Sequence, residues 1–503
     1  MWPHFIQGLS VLIQPGSIVL LLFGTIIGII LGILPGLGPV FALALFLPWT
    51  FAMNDSSAMV FLIALYSSTV YGGAISAILL NVPGTPGSVA TCFDGHAMAK
   101  QGKAGLALAA VTFASFIGGL IGVIGLIFSA PLLAKVSLLL GPSEYFMLAI
   151  MGLSLVAVAS KGDTLRGLVM GGIGLLLSFV GSDFVSGALR FNFGNVTLQG
   201  GIGFVPVSIG VFAIAQAFIM AEDGGMISEN TIEVKNSVLA GAKAVVKNWL
   251  TVLRSSFIGL IVGIMPGIGI SISNFVAYLI EKRISKDPDS FGKGNIRGVL
   301  APEAANKATV AGELVPAFAL GIPGGATSAL FLVALTTHGL RPGADLFNNS
   351  ATLMSTVYWA LIFGELVYLV LGLFFSKWMA QVTRVPNSIL VPIILVLSLL
   401  GALSYQNSLT DVLVAIIFGV VGYILQKREY PVACLILGMV LGQLAESNFQ
   451  RALLISDGSY ATFITRPLSA VFLTIIIIAL VLPQILKKMG KTISLQDVLN
   501  KTK

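Results

Sequence analysis

Asn81-Val-Pro-Gly-Thr-Pro-Gly-Ser88 interrupts one apolar run, and Gly321-Ile-Pro-Gly-Gly-Ala-Thr-Ser-Ala329 interrupts another, with Pro323 standing 240 positions after Pro83 (323 − 83). Each falls where a membrane helix should continue. Proline removes a backbone donor and clashes with the preceding turn, and paired glycines make the helical state entropically costly. In hydrocarbon a broken backbone survives only where it is buried in protein or lines a cavity. Two breaks in corresponding halves of a chain point to a transporter's binding site.

The surrounding chain fits that frame. Of 503 residues 56% are hydrophobic and 10% charged, and the mean hydropathy is +0.98. A soluble domain carries about 25% charged residues, so this is a polytopic membrane protein. The net charge of +7 resides in loops between apolar runs, which reflects the positive-inside rule and not a nucleic-acid surface. Cys92 and Cys434 lie in apolar segments and read as small buried hydrophobes. The segment before Gln14 has no Lys or Arg, so it lacks the basic region of a signal peptide.

The pattern runs twice. Gly32-Ile-Leu-Pro35-Gly36-Leu-Gly38-Pro39 splits the stretch 18–53 into a tight or re-entrant hairpin, and Gly263-Ile-Met-Pro266-Gly267-Ile-Gly269 repeats it 231 positions later (266 − 35). After the first break, which runs to Asp94–Lys103, four crossings follow near 104–130, 143–160, 165–182 and 204–221. After the second, whose crossing starts near Ala308, four follow near 351–375, 386–403, 409–425 and 431–446, and a last helix at 467–486 has no counterpart. Lys100, Lys103, Lys161 and Arg166 mark first-half loops whose second-half equivalents hold a single Arg, while Lys427 and Arg428 mark the reverse case. Equivalent loops therefore lie on opposite faces, with the N-terminus outside and the lysine-rich C-terminus inside.

The expected fold is an all-α polytopic membrane protein of two inverted-topology repeats with discontinuous helices and re-entrant or hairpin segments, roughly 10–14 membrane segments in all. Its parts are a first repeat at 1–221, a cytoplasmic linker at 222–248, a second repeat at 249–446, and an extra helix with a tail at 447–503. Glu281–Lys307, including Pro302-Glu-Ala-Ala-Asn306, reads as a polar inner loop. Asp94 and His96 read as local loop residues.

Half-helix N-termini aim N–H groups and positive dipole ends at a common point. The candidate substrate site is therefore Asn81, Pro83, Gly84, Thr85, Pro86, Gly87, Ser88 and Thr91, facing Pro323, Gly324, Gly325, Ala326, Thr327 and Ser328. Neither segment holds Lys or Arg, so an anion there relies on backbone N–H groups, hydroxyls and co-bound cations, which favours a carboxylate with coupling ions. Ion-coupling candidates are Gly36, Gly38, Gly267, Gly269 and Asn274 at the hairpins and Glu313, a carboxylate inside an apolar segment. Glu365 is a weaker one. The coupling ion is Na⁺ or H⁺, and no other cofactor or certain metal site is expected. The chain holds no G-x-x-x-x-G-K-[ST], H-E-x-x-H or G-x-S-x-G motif and only His4, His96 and His338, so ATPase and metalloenzyme chemistry are not expected. A passive channel and an intramembrane enzyme are the alternatives.

The glycine-proline motif 32–39, Tyr71-Gly-Gly-Ala-Ile-Ser-Ala-Ile-Leu-Leu-Asn-Val-Pro-Gly84, Asp94-Gly-His-Ala-Met-Ala-Lys-Gln-Gly102, Phe291-Gly-Lys-Gly294, Ala301-Pro-Glu-Ala-Ala-Asn306 and 321–329 together resemble the large membrane subunit of tripartite tricarboxylate transporters, the TctA family. The resemblance spans nearly the whole chain. It implies a bacterial inner-membrane secondary transporter for citrate or related carboxylates, driven by cation gradients. Its implied partners are a small four-helix membrane subunit (TctB-like) and a periplasmic solute-binding protein (TctC-like). It also implies that Asn306 lies close to the site. Lys307 and Glu313 depart from the family pattern, where a neutral and a small residue are more usual.

Overall fold

From Ala58 to Leu79, and again from Gly298 to Ala319, every residue is buried. A helix apolar or small on all sides has no face to give to solvent or lipid, so it becomes a core element. These two stretches are the helices that lead into the two breaks. The computed structural model describes residues 2–159, 164–183, 185–224, 237–267, 269–382 and 385–488. The loop at Lys161, linker residues 225–236 and the tail beyond 488 lie outside them.

In chain order the first half comprises α1 (Trp2–Leu12), α2 (Pro15–Ile33), α3 (Pro39–Phe46), α4 (Asp55–Leu80), α5 (Val89–Met98), α6 (Ala104–Ser137), α7 (Pro142–Ala159) and α8 (Thr164–Ser178). A two-stranded hairpin, β1 (Gly181–Ser182) and β2 (Leu189–Arg190), precedes α9 (Phe204–Ser208), which continues through a wide turn into α10 (Ala215–Asp223). The second half comprises α11 (Val238–Lys247), α12 (Trp249–Ile264), α13 (Ile270–Arg283), α14 (Arg297–Leu320), α15 (Ala326–Thr337), α16 (Ala344–Asn349) and α17 (Ala351–Phe374). It ends with α18 (Ser376–Val382), α19 (Asn387–Gln406), α20 (Leu409–Lys427), α21 (Val432–Ile455), α22 (Thr462–Thr465) and α23 (Pro467–Lys488). Among the described residues eight helices are long and apolar enough to cross a membrane, or nine if the bent pair α11–α12 is one span.

The chain forms two compact units, Met1–Ser137 with Ile202–Val432, and Leu138–Gly201 with Ala433–Lys503. In the larger unit glycines let helices touch backbone to backbone. A Cβ on Gly24, Gly28 or Gly32 of α2 would lie 2.8, 2.6 and 2.1 Å from the carbonyl oxygens of Phe61, Leu65 and Thr69 of α4. One repeat later, Gly259 and Gly263 of α12 approach the carbonyls of Ala305 and Thr309 of α14 to 2.1 and 2.8 Å in the same sense. In both cases the residue numbers rise together, so each pair is parallel.

Three further contacts fix how the halves relate. α6 runs parallel to α14, with Gly118 against Ala304 and Gly122 against Ala308. α17 runs parallel to α4, with Glu365 bonded to Ser67 and Gly372 against Tyr71. α6 and α17 are antiparallel, Gly119 meeting Glu365 and Thr112 meeting Gly372. It follows that α4 and α14, the equivalent helices of the two repeats, point in opposite directions. They cross near their midpoints, where Lys307 Nζ reaches Ser67 Oγ at 2.5 Å.

The smaller unit packs α7 against α8, α22 and α23. Arg190 of β2 lies 3.2 Å from Asp183 and pairs with Glu446. Hydrogen bonds from Gln450 and from the N–H groups of Ser186 and Val185 hold the Asp183 carboxyl well below the usual carboxylate range.

The sequence reading needs correction at four places. Pro302–Asn306 is not a loop but the second turn of α14, which starts at Arg297, well before Ala308. Its polar residues suggested solvent, yet they find partners inside the protein: Glu303 receives Thr91, and Lys307 pairs with Glu365. The region between the repeats contains a helix, α11, whose Gly241 packs on Ala109 of α6 and whose axis bends 77° into α12. The crossing expected at 165–182 closes at Ser178, because Gly181 and Ser182 pair with Arg190 and Leu189. Asp94 is not merely local: Oδ1 accepts N–H bonds from Gly292, Gly294 and Asn295 at 2.9, 2.8 and 2.7 Å, and Oδ2 accepts from the Tyr278 hydroxyl at 3.0 Å. His96 does stay local, its Nδ1 lying 3.0 Å from the Ile78 carbonyl. Cys92 and Cys434 are both buried.

Replacing Gly28 by valine puts a Cβ 2.0 Å from Ser68 Oγ and should destabilise by about 1–3 kcal/mol. A wild-type unfolding temperature for that variant in detergent would contradict the close α2–α4 approach. Asp94→Ala strips three N–H groups of their acceptor and should cost on the order of 3 kcal/mol locally. The expected sign is faster tryptic cleavage at Lys293, and unchanged cleavage would contradict the clasp.

Candidate functional site

The two breaks are built alike. α4 ends at Asn81 and α14 at Gly321, both in the left-handed region with φ of 59° and 69°. Asn and Gly adopt that conformation most readily, and it turns the chain back on itself. Gly84 then returns to the level of Gly73, where its N–H meets the Gly73 carbonyl at 3.3 Å. A Cβ there would lie 2.0 Å from the Gly32 carbonyl and 2.8 Å from Gly73 Cα. In the second half Gly324 occupies the same niche, 3.0 Å from the Gly263 carbonyl and 2.7 Å from Glu313 Cα by the same measure. The next residues, Thr85 and Gly325, are extended (φ −131° and −164°), and a new helix starts beyond each. The hairpin glycines match as well: Gly36 and Gly267 have φ of 84° and 85°.

These turns send four helix starts to the middle of the larger unit. α5 resumes alongside α4, with Ser88 near Gly73 and Gly95 near Ile78. α15 starts at the level of Glu313 and runs away from it. α13 packs on the Pro86–Ser88 turn, where Asn274 Nδ2 donates to the Pro86 carbonyl at 3.1 Å and also to that of Gly87. α3 packs reciprocally on α15, and Gly38 stands beside Pro86. Gly87 touches the Asn306 carboxamide and Gly325 touches Glu313. The seven residues between 306 and 313 rise about 10 Å along α14, so the two turns come within that distance along the helix. First-turn N–H groups have no intrahelical acceptor, so the helix starts add partial positive charge at this centre.

Asymmetry enters through one carboxylate. Glu313 is 1% exposed; it accepts the Ile270 N–H at 2.8 Å and the Tyr66 hydroxyl at 3.0 Å, and it also abuts Gly269 and Gly325. It thus caps α13 with a carboxylate. Its first-half equivalent is Gly73, where the space holds the hydroxyls of Thr85 and Ser88. Gly269 sits at φ 63° where Gly38 has −65°, a local difference that accompanies the added carboxylate. The first turn is open at Asn81, Val82 and Pro86, whereas Pro323, Gly324 and Gly325 are buried. Thr91, Thr327 and Ala326 line the starts of α5 and α15, and Ser328 closes its own helix by bonding the Gly325 N–H (2.8 Å) and carbonyl (2.9 Å).

Residues that the sequence did not single out as site candidates crowd the same centre. Lys307, fully buried, lies 3.0 Å from Glu365 and 4.3 Å from the ring of Tyr368. This assigns Glu365 a paired structural role, a one-to-one charge match linking α4, α14 and α17 through Ser67. Glu303, one turn before Lys307, accepts from Thr91. Tyr66 was camouflaged in an apolar helix. Lys307 four positions after Glu303 was the available signal, since two ionisable residues on one helix face inside a membrane protein need partners.

The chain is similar to known protein sequences. A family model described as the tripartite tricarboxylate transporter TctA family matches residues 18–437. An Agrobacterium vitis protein described as an uncharacterized 52.8 kDa protein in the TAR-I ttuC' 3'region is 35% identical over 505 residues, covering 97% of this chain and 98% of its own length. A second A. vitis protein, uncharacterized and from the TAR-II ttuC' 3'region, is 34% identical over 225 residues, covering 44% of this chain and 93% of its own. No solved structure matches. The chain belongs to the TctA family of tripartite tricarboxylate transporters.

Proposed function

We propose that this chain is the permeating subunit of a binding-protein-dependent secondary importer for an organic acid of the tricarboxylate class. A Na⁺ or H⁺ gradient drives it by alternating access. The observation that carries the reading is the pair of matched backbone turns on antiparallel central helices, which aims helix N-termini from both halves at one buried point. A carboxylate is the guest such a point favours: amide donors and dipole ends attract it, and among the described residues no buried arginine slows its release. Of the sequence candidates, the substrate side is formed by Asn81, Pro83, Gly84, Thr85, Pro86, Gly87 and Ser88 with Pro323, Gly324, Gly325, Ala326, Thr327 and Ser328. Gly36, Gly38, Gly267 and Gly269 set the hairpins that brace them. In this reading the protein sits in a bacterial inner membrane, N-terminus outside and C-terminus inside. It works with a small four-helix membrane subunit and a periplasmic solute-binding protein.

Glu313 is the coupling candidate, since a carboxylate bonded to α13 and α4 and packed on the second turn links the guest's surroundings to both halves.

Vesicles containing all three subunits should take up the acid saturably, and uptake should collapse when the ion gradient is dissipated. Non-saturating flux that ignores the gradient would instead indicate a channel. Asn81→Ala and Thr327→Ala should each abolish uptake while leaving insertion intact, and normal uptake in both would remove the proposed substrate site. Glu313→Gln should lower gradient-driven uptake by roughly tenfold or more, equivalent to about 1.4 kcal/mol of lost coupling, yet preserve exchange of labelled for unlabelled substrate. Equal loss of both activities would assign Glu313 to folding or substrate binding.

A further inference from the structure

At the basic end of the larger unit the chain makes an elbow. α11 bends 77° into α12. Asn248 forms the corner, its N–H bonded to the Ala244 and Val245 carbonyls and its Nδ2 to that of Ala244. α12 runs parallel to α14 and α14 to α6, so α12 follows the spanning direction and α11 lies across it. The depth of α11 follows from α6. Lys100 and Lys103, both exposed, precede Ala104, and Gly241 of α11 meets Ala109 five residues further on, about 8 Å along the helix. That is the level of the boundary between lipid headgroups and acyl chains. α11 buries Gly241 and Val245 against its neighbours and turns Leu239, Val246, Lys243 and Lys247 outward.

The outward stripe continues around the corner. Leu250, Arg254, Phe257 and Ile261 recur every three or four residues, which places them on one helix face, and the three apolar ones are 55, 50 and 60% exposed. Arg254 thus interrupts a stripe that faces lipid. Its Nη2 pairs with Glu281, while its Nε has no hydrogen-bond partner. The buried Glu281 also receives Thr251 and both Nε and Nη2 of Arg297. Lys243 and Lys247 carry no ion pair among the described residues, and the sequence holds no Asp or Glu between Ser237 and Ile280. Lys243, Lys247, Arg254 and Arg297 therefore stand against Glu281 alone, an arrangement that attracts an anion. A free anion would leave the adjoining apolar stripe unused, whereas a lipid has acyl chains to lay along it.

We propose that the α11–α12 elbow binds an anionic phospholipid, with Lys243, Lys247 and Arg254 around its phosphate and its acyl chains along Phe257 and Ile261. Trp249, 58% exposed at the corner, takes the interfacial level that indole rings prefer. Basic pockets beside spanning helices bind anionic headgroups in this way. The lipid braces α12 and, through Gly259 and Gly263, the helix α14 that leads into the second break. The site does not depend on the importer reading.

The test uses the purified full chain reconstituted in phosphatidylcholine bilayers, with lipids brominated on their acyl chains as quenchers. The fluorescence lost in Trp249→Phe is the local signal. Brominated phosphatidylglycerol, exchanged stepwise for phosphatidylcholine, should quench that signal with a preference of about fivefold or more over brominated phosphatidylcholine. Lys243→Ala/Lys247→Ala, at two exposed positions, should bring the preference to within about twofold of unity. Lys135→Ala/Arg451→Ala, which removes equal charge from exposed positions elsewhere, should keep it. Arg254→Gln should act like the lysine pair, and if that variant fails to fold, the lysine pair carries the test. Equal quenching by the two lipids, a wild-type preference in the lysine pair, or the same loss in the control pair overturns the site. Displacement of the brominated lipid from Trp249 by the small membrane subunit also overturns it, since the elbow is then a protein interface.

Discussion

Everything central to this protein depends on satisfying a broken backbone inside an apolar interior. Proline and glycine at 83–87 and 323–325 free N–H and C=O groups that neither lipid nor a distant surface can bond. The solution is the same twice. A side-chain-free residue, Gly84 or Gly324, presses into a notch made by a second glycine-bearing helix, close to the carbonyl of Gly32 or Gly263. Larger residues would hold the strands of chain apart and expose those groups. The glycine spacing of α2 and α12 thus positions the turns as well as packing the helices.

Much of this was legible in the sequence because it is written as covalent restriction. Pro35 and Pro266, Gly36 and Gly267, and the paired breaks limit backbone conformation wherever they occur, and the structure gives Gly36 and Gly267 φ values one degree apart. Loop charge implied halves of opposed direction, and the contacts of α6 and α17 set the equivalent helices α4 and α14 antiparallel. What could not be read is whatever depends on partners far away in the chain. Asp94 and Gly292 are joined across 198 positions, and Lys307 reaches Ser67 across 240. Pro302–Asn306 was misread because polarity was taken to mean water, when Glu303 and the adjoining Lys307 meet partners on α5 and α17 inside the core. Burying them is tolerable only as a set, since a lone buried charge is far costlier than a matched one.

The buried ionic residues also explain how the central helices stay registered. Lys307, Glu365, Ser67 and Tyr368 connect α14, α17 and α4 through directional bonds, where apolar contact alone would permit sliding. Such a cluster contributes little to net stability, because desolvation offsets attraction. Its effect is specificity: a shift of α14 by one turn would strand the ammonium without a carboxylate.

Glu313 has no twin, and that has a consequence beyond its own bonds. A carrier made of two interchangeable halves would be indifferent to the side from which a passenger boards. In the carrier reading proposed above, a carboxylate at 313 and bare glycine at 73 make the inward and outward journeys traverse different electrostatic terrain. Gradients would then fix where the cargo finally accumulates, but the heights of the hills on the way need not match. A single unreciprocated side chain is therefore enough to give a pseudo-symmetric machine a front and a back.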